Sequence, residues 1–311
     1  MGAMANLTFT LRSGRKLGYT TFGDPDAERI VIFCHAAPGS SMFDPDPTVS
    51  SRRGVHILSF DRPGYGSSDP LPSGVWPSIA QPAEDIAEFL RAMDRDEYPI
   101  GVERPRTVGV AGWSAGGRVA LALAARHPDL VDRVAVVATP APNDHVPWIA
   151  PQVQAMSDHL GTLPPDDAIA QLSEMLQPQA DAITSADEDG DVPLDAVGAS
   201  AVDVNALAAP GVRDRLGRML RDAFRQGPRG VAADILSYTA RPWELDYAAV
   251  TAKVLLVNGQ GDALAGTPHA DWYRDALPDA RAEVVPGVGH LVLVPQWERI
   301  LTHVAPDAVR R

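Results

Sequence analysis

The sequence predicts an α/β fold: a mostly parallel central sheet flanked by helices, with one helical insertion. Three observations carry this prediction. First, Ile30–Cys34, Val55–Phe60, Thr107–Ala111, Val134–Ala138, Lys253–Val257 and Arg281–Val285 are compact apolar runs without polar alternation. Such runs fit strands buried on both faces, the habit of parallel sheets. Second, helical patterns lie between them, which makes βαβ units. Third, more than a hundred residues separate the fourth run from the fifth without a clear strand. A structureless loop of that length would be improbable, so the segment reads as mostly helical.

Taken in order, Leu7–Leu11 and Leu17–Phe22 alternate partly and flank Arg12-Ser13-Gly14-Arg15, as in an antiparallel hairpin. Gln81–Met93 sets Ile86, Phe89, Leu90 and Met93 on one helical side. Ala115–Arg126 does the same with Val119, Ala120, Leu123 and Ala124, and stops before Pro128. Trp272–Leu277 and Trp297–Val304 are shorter helical candidates, as are Ala168–Leu176 and Arg213–Phe224 within the insertion. The expected division is a core over residues 1–140 and 241–311 with a helical cap over 141–240. None of the 28 prolines falls in the six runs, as central strands require.

The chain of 311 residues carries a formal charge of −13 and a single cysteine. That charge argues against binding nucleic acid, which needs a basic surface, and against a basic patch on an anionic membrane. One cysteine forms no internal disulfide and fits a reducing compartment. No apolar run reaches 18 residues, and Met1–Leu11 lacks a signal-like stretch, so a cytoplasmic protein is expected. The charge is uneven: 15 acidic against 6 basic residues in 141–240, 25 against 21 elsewhere. An acidic outer face there would disfavour strongly anionic substrates.

Chemistry concentrates at the ends of the apolar runs. Gly112-Trp113-Ser114-Ala115-Gly116 is a G-x-S-x-G segment between strand and helix. The sharp turn forces Ser114 into strained backbone and lifts its hydroxyl above the sheet. The Ala115 N–H at the helix start faces the same space. A serine needs a base, and His290 stands in the glycine-bearing loop after the last run. The base needs an orienting carboxylate, and Asp262 follows the preceding run. The order Ser, Asp, His differs from the two other common serine-hydrolase orders. After Ile30–Cys34 comes His35-Ala36-Ala37-Pro38-Gly39, and after Val55–Phe60 comes Asp61-Arg62-Pro63-Gly64-Tyr65-Gly66-Ser67-Ser68-Asp69.

These five motifs, in this order, resemble the α/β-hydrolase superfamily over nearly the whole chain outside the insertion. The resemblance implies a serine hydrolase with a cap that works without a cofactor or metal on a small-molecule ester or lactone. It implies catalytic Ser114, Asp262 and His290, with Ala115 and Ala37 giving the oxyanion N–H groups. Ala36 departs from the family's usual glycine and would be strained at a positive φ. Asp61 and Arg62 match a structural loop and are assigned no chemistry. Serine as nucleophile sets the chain apart from relatives that use aspartate or cysteine there. Carbon–carbon hydrolysis, perhydrolysis, a proline-iminopeptidase-like activity and ligand reception by the same fold remain alternatives.

Other signals weigh less. Asp187-Glu188-Asp189-Gly190-Asp191 lacks the glycine and glutamate spacing of a calcium loop and reads as a solvated acidic loop. Cys34 reads as a small packed hydrophobe. His127, ending a helix before Pro128, complements the helix dipole. Met156, Met175 and Met219 read as amphipathic packing. No H-E-x-x-H, P-loop or G-x-G-x-x-G is present.

Overall fold

Each apolar run becomes a strand, and the strands form an eight-stranded sheet in a computed structural model describing residues 7–93, 107–186, 192–306 and 308. The strands are β1 (Leu7–Thr10), β2 (Lys16–Gly23), β3 (Ile30–Cys34), β4 (His56–Phe60), β5 (Val108–Trp113), β6 (Val131–Val137), β7 (Lys253–Gly259) and β8 (Ala280–Val285). Their spatial order is β1-β2-β4-β3-β5-β6-β7-β8. The predicted hairpin pairs antiparallel, with Leu7 opposite Tyr19 and Thr10 opposite Lys16. β2 also meets β4 antiparallel, and every pairing from β4 to β8 is parallel.

Several strand bounds need correction, among them β7, which runs two residues past Val257 to Gly259. β5 continues two residues past Ala111 through Gly112 and Trp113, because Gly112 still pairs with Cys34 and Val136. β6 begins at Val131, ahead of the apolar run, since Arg133 pairs with Gly109 and Lys253 at the sheet's end. β8 is an edge strand, so it is not buried on both faces; Arg281 and Val284 are exposed.

Helices α1 (Pro47–Arg52), α2 (Ala80–Met93) and α3 (Ala115–Arg126) lie between strands, and α9 (Thr267–Ala276) and α10 (Trp297–Val304) flank the last of them. α1 escaped the sequence reading, although Asp46 caps it by accepting from the Thr48 and Val49 N–H groups and Pro47 opens it. α9 starts five residues before the predicted Trp272, at Thr267-Pro268. Between β6 and β7 the described residues hold no strand and five α-helices: α4 (Pro151–Leu160), α5 (Pro165–Thr184), α6 (Val204–Ala208), α7 (Val212–Ala223) and α8 (Arg229–Thr239). The predicted Ala168–Leu176 lies inside the 20-residue α5, which runs on through Pro178.

The core has two sides because side chains alternate along each strand. Ile30, Ile32, Val110, Val134, Val254 and Leu256 pack with Phe89 and Leu90 of α2, Leu121 and Leu123 of α3, and Tyr273 of α9. Val31, Phe33, Ala111, Val137, Leu255 and Val257 face the other way, onto Trp297 and Leu301 of α10. Leu216, Met219 and Leu220 of α7 belong to this second cluster. The helices between β6 and β7 therefore share a core with the sheet. A smaller cluster of Leu160, Ile169, Leu172 and Leu236 joins α4, α5 and α8. Among the predicted packing methionines, Met219 is fully buried, Met156 packs against the small cluster and Met175 is exposed.

Candidate active site

Parallel pairing brings the ends of β3, β5, β7 and β8 to one edge of the sheet, the edge where ligands bind in open α/β sheets. From those ends come His35, Ser114, Asp262 and His290. β5 stops at Trp113, and α3 begins at Ala115 with only Ser114 between. Ser114 has φ 54° and ψ −121°, a conformation that costs an ordinary residue about 1–3 kcal/mol. The tight turn requires its glycines. A Cβ on Gly112 would lie 2.3 Å from the Gly116 carbonyl oxygen, and one on Gly116 would lie 2.1 Å from that of Cys34.

The three residues singled out by the sequence meet. His290 Nε2 lies 2.9 Å from Ser114 Oγ, and His290 Nδ1 lies 2.8 Å from Asp262 Oδ2. The other carboxylate oxygen of Asp262 accepts from the Leu264 and Ala265 N–H groups at 2.8 and 3.1 Å. Asn258 holds the same loop by donating to the Ala265 carbonyl at 2.7 Å. Trp113 Nε1 donates to the His290 carbonyl at 3.0 Å, joining the serine's strand to the histidine's loop. His290 and Asp262 are 3% and 8% exposed, so their hydrogen bond is shielded from water. Burial pushes the Asp262 carboxyl up, but the His290 hydrogen bond and charge, with the two backbone N–H groups, outweigh it and hold the carboxyl below its usual range.

Among the described residues, no hydrogen-bond acceptor engages the N–H of Ala115 or Ala37. Ala36 lies outside the left-handed region, so the expected cost of replacing glycine there does not arise. Arg62 donates to the His35 and Ala36 carbonyls at 2.6 and 2.7 Å. The same guanidinium grips Asp234 of α8 at 3.1 and 2.7 Å, and Tyr65 also donates to Asp234. Sequence reading gave Arg62 no chemistry, and here it braces the loop carrying Ala37. Asp61 accepts from the Ser41 and Ser67 N–H groups and serves the loops on either side of it.

Two further residues were missed. Asp203 is buried beside the His290 loop and accepts from the Gly289 and Leu291 N–H groups. Gly198 lies so near that a Cβ on it would stand 2.7 Å from His290 Cδ2. The S-x-x-D spacing of Ser200 and Asp203 is a capping-box signature, and both of its reciprocal bonds are formed. That signal could have located the turn, though not its contact with His290.

The remaining signals sort simply. Cys34 is buried, and desolvation, against the opposing charge of Arg62, pushes its thiol up to about 12, so it stays protonated and unreactive. His127 meets Glu84 at 3.1 Å at the end of α3. The acidic run Asp187–Asp191 lies outside the described residues. Among the described residues, no helix is long and apolar enough to cross a membrane, and no three metal-ligating side chains cluster.

Fold and site together define a hydrolase-type framework. Residues 29–295 match the model of the alpha/beta hydrolase fold family, and the chain belongs to that family. It is 28% identical over 247 residues to a pimeloyl-[acyl-carrier protein] methyl ester esterase of Chromobacterium violaceum, covering 78% of each chain. It is 29% identical over 266 residues to a homoserine O-acetyltransferase of Natronomonas pharaonis, covering 75% of this chain and 61% of that relative. In structure it is similar to the enol-lactonase of Burkholderia xenovorans LB400, with a TM-score of 0.65 at 17% identity, over 96% of this chain and 98% of that one.

Proposed function

We propose that the protein is a serine hydrolase that cleaves a small to medium carboxylic ester or lactone through an acyl-enzyme. The observation that carries this is the continuous hydrogen-bond chain from Asp262 through His290 to a serine on strained backbone at a helix start. In the first half-reaction Ser114 Oγ attacks the substrate carbonyl carbon, and its proton passes to His290 Nε2. Asp262 fixes the imidazole tautomer and stabilises the cation. The N–H groups of Ala115 and Ala37 receive the developing oxyanion; one such donor is typically worth about 10²–10³ in rate. His290 then returns the proton to the leaving oxygen. In the second half-reaction water, deprotonated by His290, releases the acid and restores Ser114.

The names of the sequence relatives favour this choice. A methyl ester esterase and an O-acetyltransferase both act at acyl–oxygen bonds. In this reading residues 141–240 are the cap over the site and select the substrate. The chain works without cofactor or metal, on a small molecule, in the cytoplasm.

Fluorophosphonate labelling tests the nucleophile, and p-nitrophenyl esters of graded chain length test the substrate class. Wild type should label and turn over the shorter esters, and Ser114→Ala should lose both, by about 10⁶ in kcat. Equal labelling of wild type and Ser114→Ala would overturn the proposal. So would turnover of prolyl anilides with none of any ester.

A further inference from the structure

The loop that carries His290 is held from outside the sheet domain. Its two flanking N–H groups, of Gly289 and Leu291, both donate to Asp203 Oδ1, at 2.9 and 3.1 Å. The partner oxygen, Oδ2, accepts from the N–H and hydroxyl of Ser200, each at 3.1 Å. Asp203 is 0% exposed, and among the described residues no cationic side chain pairs with it. Four donors thus meet one buried carboxylate, and a carboxylate without such donors would not be tolerated there. Hydrogen bonds to an ionised acceptor are roughly twice as strong as neutral ones. The contact is close: a Cβ on Gly289 would lie 2.6 Å from Asp203 Oδ2. The same turn brings Gly198 against the imidazole edge.

We propose that Asp203, contributed by the helical segment between β6 and β7, is a positioning residue for the general base. It holds the N–H groups of the residues before and after His290, so the ring stays in line between Asp262 and Ser114. The proposal rests on the reading of His290 as the base. Proton transfer is sensitive to this alignment, since a shift of about 1 Å can cost about 10² in rate. A residue that merely supported the loop would affect stability but not the reactivity of folded enzyme.

The test compares Asp203→Ala, Asp203→Asn and His290→Ala with wild type, each normalised to folded protein by circular dichroism. Readouts are the fluorophosphonate labelling rate, and kcat and KM for a p-nitrophenyl ester. Asp203→Ala should lose about 10² in both kcat and labelling rate, with KM changed less than about threefold, the pattern of lost transition-state alignment. Asp203→Asn should recover most of that loss, because its amide oxygen can still accept from both N–H groups. If Asp203→Ala does not fold, Asp203→Asn alone decides, with a kcat roughly 3–10-fold below wild type at unchanged KM. Wild-type kcat and labelling rate in the Asp203 variants, or a loss confined to KM, would overturn the proposal. His290→Ala separates the two failures. If it stays active, the base reading falls. If it is inactive while the Asp203 variants match wild type, only the role of Asp203 falls.

Discussion

Ser114 Oγ and His290 Nε2 stand 2.9 Å apart, yet the two residues are supported in different ways. Ser114 rests on the sheet: β5 runs into it, α3 leaves it, and Gly112 and Gly116 let backbone approach backbone. Everything within that turn is local in sequence or belongs to adjacent strands. His290 sits on a loop beyond the edge strand β8, with no neighbouring strand outside it. Its support arrives over long range, from Asp262 behind it and from Asp203, 86 residues before Gly289. The serine side is thus held by close packing, and the histidine side adds to its close contacts hydrogen bonds to buried carboxylates. Packing tolerates no added atom; hydrogen bonding tolerates no lost acceptor.

Three changes probe this contrast. The largest effect should come from Asp262→Asn, which keeps the shape of the histidine side and removes its charge. We expect kcat to fall by about 10⁴ with the fold intact, as the wrong imidazole tautomer is favoured. Near-normal steady-state turnover would mean that another carboxylate orients His290. Next is Gly116→Ala on the serine side, where one methyl meets the Cys34 carbonyl. The expected loss is about 3 kcal/mol of stability or more, read by urea denaturation. A melting curve like that of wild type would show that the elbow has slack.

The smallest effect concerns Asp44, in the loop between β3 and α1. It is a buried carboxylate with fewer donors than Asp203: Ser50 Oγ at 2.8 Å and the Asp46 N–H at 3.1 Å. Burial pushes its carboxyl up to about 6 from an ordinary 3.8, despite those donors and the charge of Arg215. A raised carboxyl favours the protonated folded state. Its contribution is full below pH 3.8 and is lost as pH rises through about 6. Asp44→Asn should therefore stabilise the protein above pH 6 by up to about 3 kcal/mol and have little effect near pH 4. Thermal melts at pH 4 and pH 8 check this; an equal shift at both would remove the ionisation argument.

The serine side could be read from the sequence because its strand, turn and helix follow one another without interruption. Five residues of the elbow encode strand end, turn and helix start, and β3 was bounded correctly by its apolar run alone. Asp262 and His290 could be placed because each follows a strand. Boundaries failed where apolar content and pairing part company. Gly112 looks like a strand terminator but pairs on both sides, and Arg133 looks like loop but closes the sheet's end. The role of Arg62 and that of Asp203 stayed hidden for a different reason. Their partners lie 26 to 172 residues away, and no periodicity announces such a contact.

The shared core has a consequence for how the segment between β6 and β7 can vary. Leu216, Met219 and Leu220 of α7 pack in the same cluster as Val137 and Val257 of the sheet. A helical segment that could be traded between relatives as a module would seal its own interior and touch the sheet through a polar seam. Here helices between β6 and β7 complete the sheet's own core. Any change to α7, or to the end of α5 that carries Ala180 and Ile183, is therefore also a folding experiment, whereas α4 packs only into the small cluster, so variation should accumulate there.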